Sequence, residues 1–313
     1  MSTALQFETA LTPYGPVNDV HVLTRWPGGA PQDCRLLEKN SVPTPQGWLV
    51  ALYDPEDVRR SSGKSFSLYP NGMWRSLELQ GQTTVSTPLG DMPAEWLAWH
   101  EKGTLKRILL RKGKLSGYWT EQDERKLATE ISLDLHGQSV NAKIQGLRFY
   151  TSGMLESVTF WPGETIRLET PLGPLPVRYG CAFYENGRLR SCEPARPVHV
   201  PTPLGELAAY DSTASAICGD INSLCFDEKG AVCGLVTAAC TLRWQANGQQ
   251  QSIAPRMEKD QLTMLRTVVV PLRLTFLPDG LVQMDDGQKV LLAPAKEISV
   301  TPFVALPDMR PGN

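Results

Sequence analysis

The sequence predicts an all-β fold, built from tandem antiparallel β-hairpin repeats that form an elongated twisted sheet or an open solenoid. Three observations predict it. A turn pattern ending in glycine between apolar flanks recurs six times, and a second turn, Thr-Pro-x-Gly, recurs between its copies. The 26 glycines and 25 prolines also sit at these recurrent places, where they punctuate strands, and do not pool in one flexible linker.

The first pattern reads "LYPNGMWRS" (68–76), "WHEKGTLKR" (99–107), "FYTSGMLES" (149–157), "FYENGRLRS" (183–191), "FDEKGAVCG" (226–234) and "FLPDGLVQM" (276–284). Its glycines are Gly72, Gly103, Gly153, Gly187, Gly230 and Gly280, at intervals of 31, 50, 34, 43 and 50 residues. Pro70 and Pro278 fix the turn type. Proline's negative φ suits the first corner of a type I turn and excludes a type I′ turn, so glycine takes the left-handed bulge position of a three-residue loop. That loop sets the register: Tyr184 opposes Arg188 and Phe183 opposes Leu189, and the same rule pairs Phe149 with Leu155, Leu68 with Trp74, Phe226 with Val232 and Phe276 with Val282. Carried one step further, the register sets Cys225 against Cys233 and leaves Cys181 and Cys192 one place out of step.

The second pattern reads "LTPYG" (11–15), "PTPQG" (43–47), "STPLG" (86–90), "TPLG" (170–173) and "PTPLG" (201–205). Thr before Pro is held extended, Pro presets the first corner and Gly suits the fourth position, so Pro88 with Gly90, Pro171 with Gly173 and Pro203 with Gly205 are structural turns. The threonines are 32, 43, 83 and 32 residues apart, and the double interval implies a copy lost within 115–146. The whole chain, 1–313, reads as a single repeat array, clearer over 11–210 and degenerate over 211–313, with an irregular insertion at 121–146. Within that insertion the polar run Glu121 to Thr129 fits a short surface helix, and Arg256 to Leu265 is a second helix candidate.

The "FYxNGxLxS" stretches, best seen at Phe149 to Ser157 and Phe183 to Ser191, resemble MORN-type β-hairpin repeats, including the divergent bacterial kind found in toxin–antitoxin components. The resemblance implies hairpins stacked into one sheet and used as a scaffold or binding surface, without catalysis. It covers the hairpin cores, and this chain departs from the familiar unit in its longer intervals and its Thr-Pro-x-Gly turns.

Composition narrows the function classes. With 31 basic against 33 acidic residues the formal charge is −2, so no overall basic field draws in nucleic acid. The first residues lack the basic and apolar regions of a signal peptide, and the longest apolar run, near Thr267 to Leu272, is far shorter than a membrane span. Seven cysteines, an odd number without a dense framework, fit reduced thiols and a cytoplasmic location. No cofactor is expected.

Catalytic signatures are weak. "SSGKSF" (61–66) ends like a phosphate-binding loop, but the glycine needed five places before Gly63 is Val58, so a polar surface loop is the better reading. His21, His100, His136 and His199 are scattered, without metal-site spacing. A pair such as Cys225 and Cys233 reads first as small apolar packing and second as a disulfide or half a metal site. Eight tryptophans fall mainly in strands; Trp96, Trp99 and Trp161 are candidate surface-binding aromatics, and in "WLAW" the odd spacing puts Trp96 and Trp99 on opposite faces. The leading expectation is a non-catalytic scaffold whose sheet binds another protein. A carbohydrate-binding module using exposed Trp and Tyr is the alternative, and an enzyme with a site dispersed in sequence is third. The sequence leaves the oligomeric state open.

Overall fold

The computed structural model describes residues 6–54, 59–60, 63–113, 116, 118–215, 219–259 and 267–303. Strands dominate, with one short α-helix and one 3-10 turn among the described residues, and within each of the two compact units the described strand pairings are antiparallel. The all-β hairpin class is therefore the observed one. The hairpins divide between two compact units, Met1–Trp161 with Glu185–Gly187, and Pro162–Tyr184 with Arg188–Asn313.

Two kinds of turn alternate along the chain. In the first kind, the amides of Gly72, Gly103, Gly153, Gly230 and Gly280 donate to the carbonyl three residues earlier, and these glycines and Gly187 have φ between +79° and +89°. That is the left-handed conformation a side chain resists. A seventh copy, Trp26-Pro27-Gly28-Gly29, has the same bond from Gly29 to Trp26 and a φ of +84° at Gly29. The search for apolar flanks misses it because its bordering pair is Arg25 and Pro31.

In the second kind, Thr12, Thr44, Thr87, Thr170 and Thr202 do more than extend the chain. Each hydroxyl donates to the carbonyl of the glycine three residues on, at 2.6–2.8 Å, and accepts the amide two residues on. The side chain thereby closes the turn from both sides, and proline's missing N–H costs nothing there. The copy expected to be lost within 115–146 is present in another form: Leu135 and Gln138 bond across His136 and Gly137, whose φ values are +55° and +93°. Two positive φ values make this a two-residue turn of the primed kind, which has no use for proline. The stretch 121–146 is correspondingly more regular than expected. It holds the helix Glu121–Leu127, capped by reciprocal hydrogen bonds between Thr120 and Asp123, then Glu130–Asp134 paired with the start of Ser139–Phe149. Arg256–Lys259, the start of the second helix candidate, is a strand paired with Thr267–Val270, and 260–265 lies outside the described residues.

The two units carry one pattern. A shift of 158 residues takes the strands Glu8–Thr12 and Gly15–Arg25 onto Ile166–Thr170 and Gly173–Phe183, and takes Phe66–Leu68 onto Leu224–Phe226. Hydrogen bonds follow the same shift: Leu52 to Glu78 and Glu78 to Ser65 in the first unit match Tyr210 to Val236 and Val236 to Ser223 in the second. "CRLLEKNSVPTPQG" (34–47) and "CEPARPVHVPTPLG" (192–205) align without a gap. The chain is a tandem duplication, diluted enough by substitution that single turns stand out before the long repeat does.

The expected pairs at the hairpin ends form: Phe149 with Leu155, Leu68 with Trp74, Phe183 with Leu189, Phe226 with Val232 and Phe276 with Val282. One step beyond, an extra residue bulges from the second strand in most hairpins, namely Arg75, Lys106, Glu156, Arg190 and Cys233. A bulge moves every later partner by one place. The two cysteine registers are therefore the reverse of the expectation: Cys225 pairs with Gly234, leaving Cys233 as the bulge, whereas Cys181 pairs with Cys192. All four thiols are free. Burial pushes the Cys181 thiol up to about 12 and raises Cys192 as well, so both stay protonated at neutral pH.

Beneath the bulges lies the core. In the first unit Leu77, Leu97, Ile108, Leu147 and Val158 form one row across adjacent strands, each almost wholly buried, as strand alternation requires for one face of a sheet. Four of the turns tie their hairpin to the next through their first residue. Trp26 Nε1 donates to the Leu68 carbonyl, the Tyr69 hydroxyl to Trp99, His100 Nε2 to Phe149 and the Tyr184 hydroxyl to Phe226, at 2.8–3.1 Å. An aromatic ring with a polar tip both packs at the hairpin end and satisfies a backbone carbonyl of the next. His100 is thus a sheet residue with a structural bond.

Candidate functional site

The face of the first unit's sheet opposite that core row carries a groove of about 300 Å³. Its floor is the row Ser76, Ala98, Arg107 and Arg148, joined as direct cross-strand partners. Small side chains at Ser76 and Ala98 leave the hollow. Four cations line it: Arg75 and Lys106, which are bulge residues, and Arg107 and Arg148 from the row itself. The bulges matter because each adds a side chain where regular pairing has no room for one.

Charge is unevenly satisfied here. Arg148 Nε is bonded to Glu156 at 3.1 Å, and Arg75 stands 5.9 Å from the Trp26 ring centroid. Lys106 and Arg107 have no carboxylate partner among the described residues. Arg107 and Arg148 also face each other directly, a like-charge pairing that opposes sheet formation. The second unit supplies an internal control. Its corresponding row is Gly234, Thr275, Gln283 and Leu292, and Cys233 stands where Arg75 does. The fold makes the same ladder without any cation.

Trp96 half-emerges on the same face, with Lys112 Nζ 5.7 Å from its ring centroid. Trp99 and Trp161 are not surface aromatics, contrary to expectation. Trp99 points to the other face, lies fully buried against Trp74 and donates its Nε1 to Gln46 at 2.5 Å. Trp161 is buried because its amide continues the sheet through a bond to the Lys143 carbonyl. The most open of the exposed aromatics, Trp48 and Tyr118, carried no special sequence signal.

Beside the groove, seven charged residues form a closed network. Arg59 binds Glu124 through both nitrogen positions and Glu95 at 2.6 Å; Arg111 binds Glu95 at 2.9 Å; Lys112 and Arg60 bind Glu78 at 2.6 and 3.3 Å. Burial disfavours ionisation of Glu95, but hydrogen bonds from Arg59, the Lys112 amide and Arg111 overcome it and hold the carboxyl below the usual range. Trp119 Nε1 also donates to Glu124, so the network fastens the helix to the sheet. Every cation in it has a carboxylate, which makes it a structural tie.

In the second unit a cavity of about 350 Å³ contains Glu193, Ser223 and Arg273. Burial raises the Glu193 carboxyl above its ordinary value, although Ser223 donates to it through both amide and hydroxyl and Arg178 lies 3.5 Å away. The Ser223 hydroxyl donates to the Glu193 carboxylate, and no imidazole stands among the described lining residues.

The remaining expectations resolve simply. Lys64 of the phosphate-loop-like stretch pairs with Asp33 at 2.7 Å and is followed by the strand Phe66–Leu68, not a helix; Val58, Ser61 and Ser62 lie outside the described residues, as does Cys218. Among the described residues no group of three or more His, Cys, Asp or Glu could hold a metal, and no helix is long and apolar enough to cross a membrane. No protein-family model matches the chain, and neither a curated protein nor a solved structure is significantly similar to it.

Proposed function

We propose that this protein is a non-catalytic hairpin scaffold that binds another protein through the polar face of its first unit. One observation carries the reading. The row holding Arg107 and Arg148 carries two cations where the duplicated second unit has Gln283 and Leu292, which supports a role for the charges other than building the ladder. The MORN-type resemblance of the hairpin cores points the same way, and the free cysteines fit a cytoplasmic setting. Carbohydrate stacking has less support, since Trp99 and Trp161, two of the three candidate surface tryptophans, are buried.

The test is affinity capture from the protein's own source cells with the full chain and with a Lys106→Thr/Arg107→Gln double variant of equal thermal stability. A partner recovered at stoichiometric yield by the first and lost by the second supports the reading. Equal recovery by both places the interaction elsewhere and defeats it.

A further inference from the structure

We infer that the groove of the first unit takes an acidic, extended segment of its partner, laid across the strands so that carboxylates meet Arg75, Lys106, Arg107 and Arg148 in turn. This deepens the scaffold reading and rests on it. The argument begins with spacing. Arg75 lies on the strand Trp74–Thr87, Lys106 and Arg107 two strands away on Leu105–Leu109, and Arg148 on the next, Ser139–Phe149. Neighbouring strands are about 4.8 Å apart, so the cations are distributed over roughly 14 Å. An extended peptide places every second side chain on one face, about 6.8 Å apart. Acidic residues at alternate positions of a five-residue stretch therefore span the row.

Charge complementarity selects the sign of the ligand. Two cations without a carboxylate partner and a direct arginine–arginine pairing leave a local excess that an anion relieves. Arginine forks favour planar carboxylates, which bind in a bidentate manner. The floor of Ser76 and Ala98 admits a backbone close to the sheet, and the half-exposed Trp96 offers one flank for the apolar part of such a chain. A folded protein of net charge −2, with Lys106 and Arg107 side by side in one short groove and without carboxylate partners among the described residues, fits a short acidic peptide better than a long polyphosphate chain.

The experiment titrates the full-length protein into a fluorescein-labelled peptide of alternating Glu and Thr, eight residues long, and follows anisotropy at low and physiological salt. A peptide of alternating Lys and Thr and a single-stranded dT12 oligonucleotide are run beside it. Saturable one-to-one binding of the Glu peptide is expected, weakened at least fivefold by Arg107→Gln and largely kept by Arg107→Lys. The Lys peptide should not bind. Absence of saturable binding at millimolar protein, or binding unchanged by Arg107→Gln in a variant of native thermal stability, overturns the inference. So does tighter, Arg107-dependent binding of dT12, which would assign the groove to nucleic acid. If cellular capture yields a groove-dependent partner while the Glu peptide fails, the scaffold reading stands and only the acidic character of the segment is wrong.

Discussion

Replacing Arg107 by Gln, the residue its counterpart Gln283 already supplies in the second unit, should stabilise the first unit slightly. Arg107 and Arg148 are direct partners on adjacent strands. Two unit charges held about 6 Å apart in water repel by about 0.7 kcal/mol, and screening over about 8 Å at physiological salt halves that to about 0.3 kcal/mol. The substitution leaves the Arg148–Glu156 ion pair intact, so the gain is not offset by a broken bond. Urea unfolding followed by tryptophan fluorescence reads this well, because every tryptophan except Trp244 belongs to the first unit. The midpoint should rise at low salt and the rise should vanish in 1 M NaCl. A loss of 1 kcal/mol or more at any salt would show that Arg107 supports the fold and would refute the reasoning from the second unit.

Three further outcomes follow from the geometry. Gly72→Ala and Gly280→Ala share the penalty of a left-handed φ, about 1 kcal/mol, but an added Cβ at Gly72 would stand 2.9 Å from the Leu11 carbonyl oxygen whereas Gly280 is open; equal losses of unfolding free energy would contradict the packing described. Tyr69→Phe removes the bond to the Trp99 carbonyl and should cost about 1 kcal/mol in urea unfolding, with no loss counting against the inter-hairpin ties. Glu95 is held below its ordinary pKa, so its stabilising contribution is present above an unfolded value of about 4.3 and disappears as pH falls through the folded value. Glu95→Gln should lose about 3 kcal/mol at pH 7 and flatten the acid limb of a stability–pH profile; an unchanged acid limb would mean that another group governs it.

The hairpins were legible because their chemistry is local. Proline and glycine at fixed offsets announce a turn wherever they occur, and the aromatic pair before and after it gives the first rung of the ladder. What lies one rung further was not legible. A bulge is decided by how a strand fits its neighbours, so Arg75, Lys106 and Cys233 look like ordinary strand residues in the sequence, and the cysteine registers came out reversed. The groove was hidden for the same reason. Arg75, Arg107 and Arg148 are spread over 74 positions, and a net charge near zero conceals their convergence. Two signals were nonetheless available. The shift of 158 residues can be found by aligning 34–47 with 192–205, and the column Trp26, Tyr69, His100, Tyr150 and Tyr184 carries a polar-tipped aromatic at the first position of five of the seven turns. Read together they would have given the duplication and the inter-hairpin ties, but not which face was charged.

Amide hydrogen exchange of the full chain, with and without saturating alternating Glu-Thr peptide, tests the central claim most directly. Added protection confined to peptides covering 74–76, 96–98, 105–109 and 146–148, with none over the matching second-unit rows at 232–234, 275 and 283, is the predicted result. Protection that spares the first-unit groove, or falls equally on both units, would contradict the claim that the duplicated scaffold has one charged binding face.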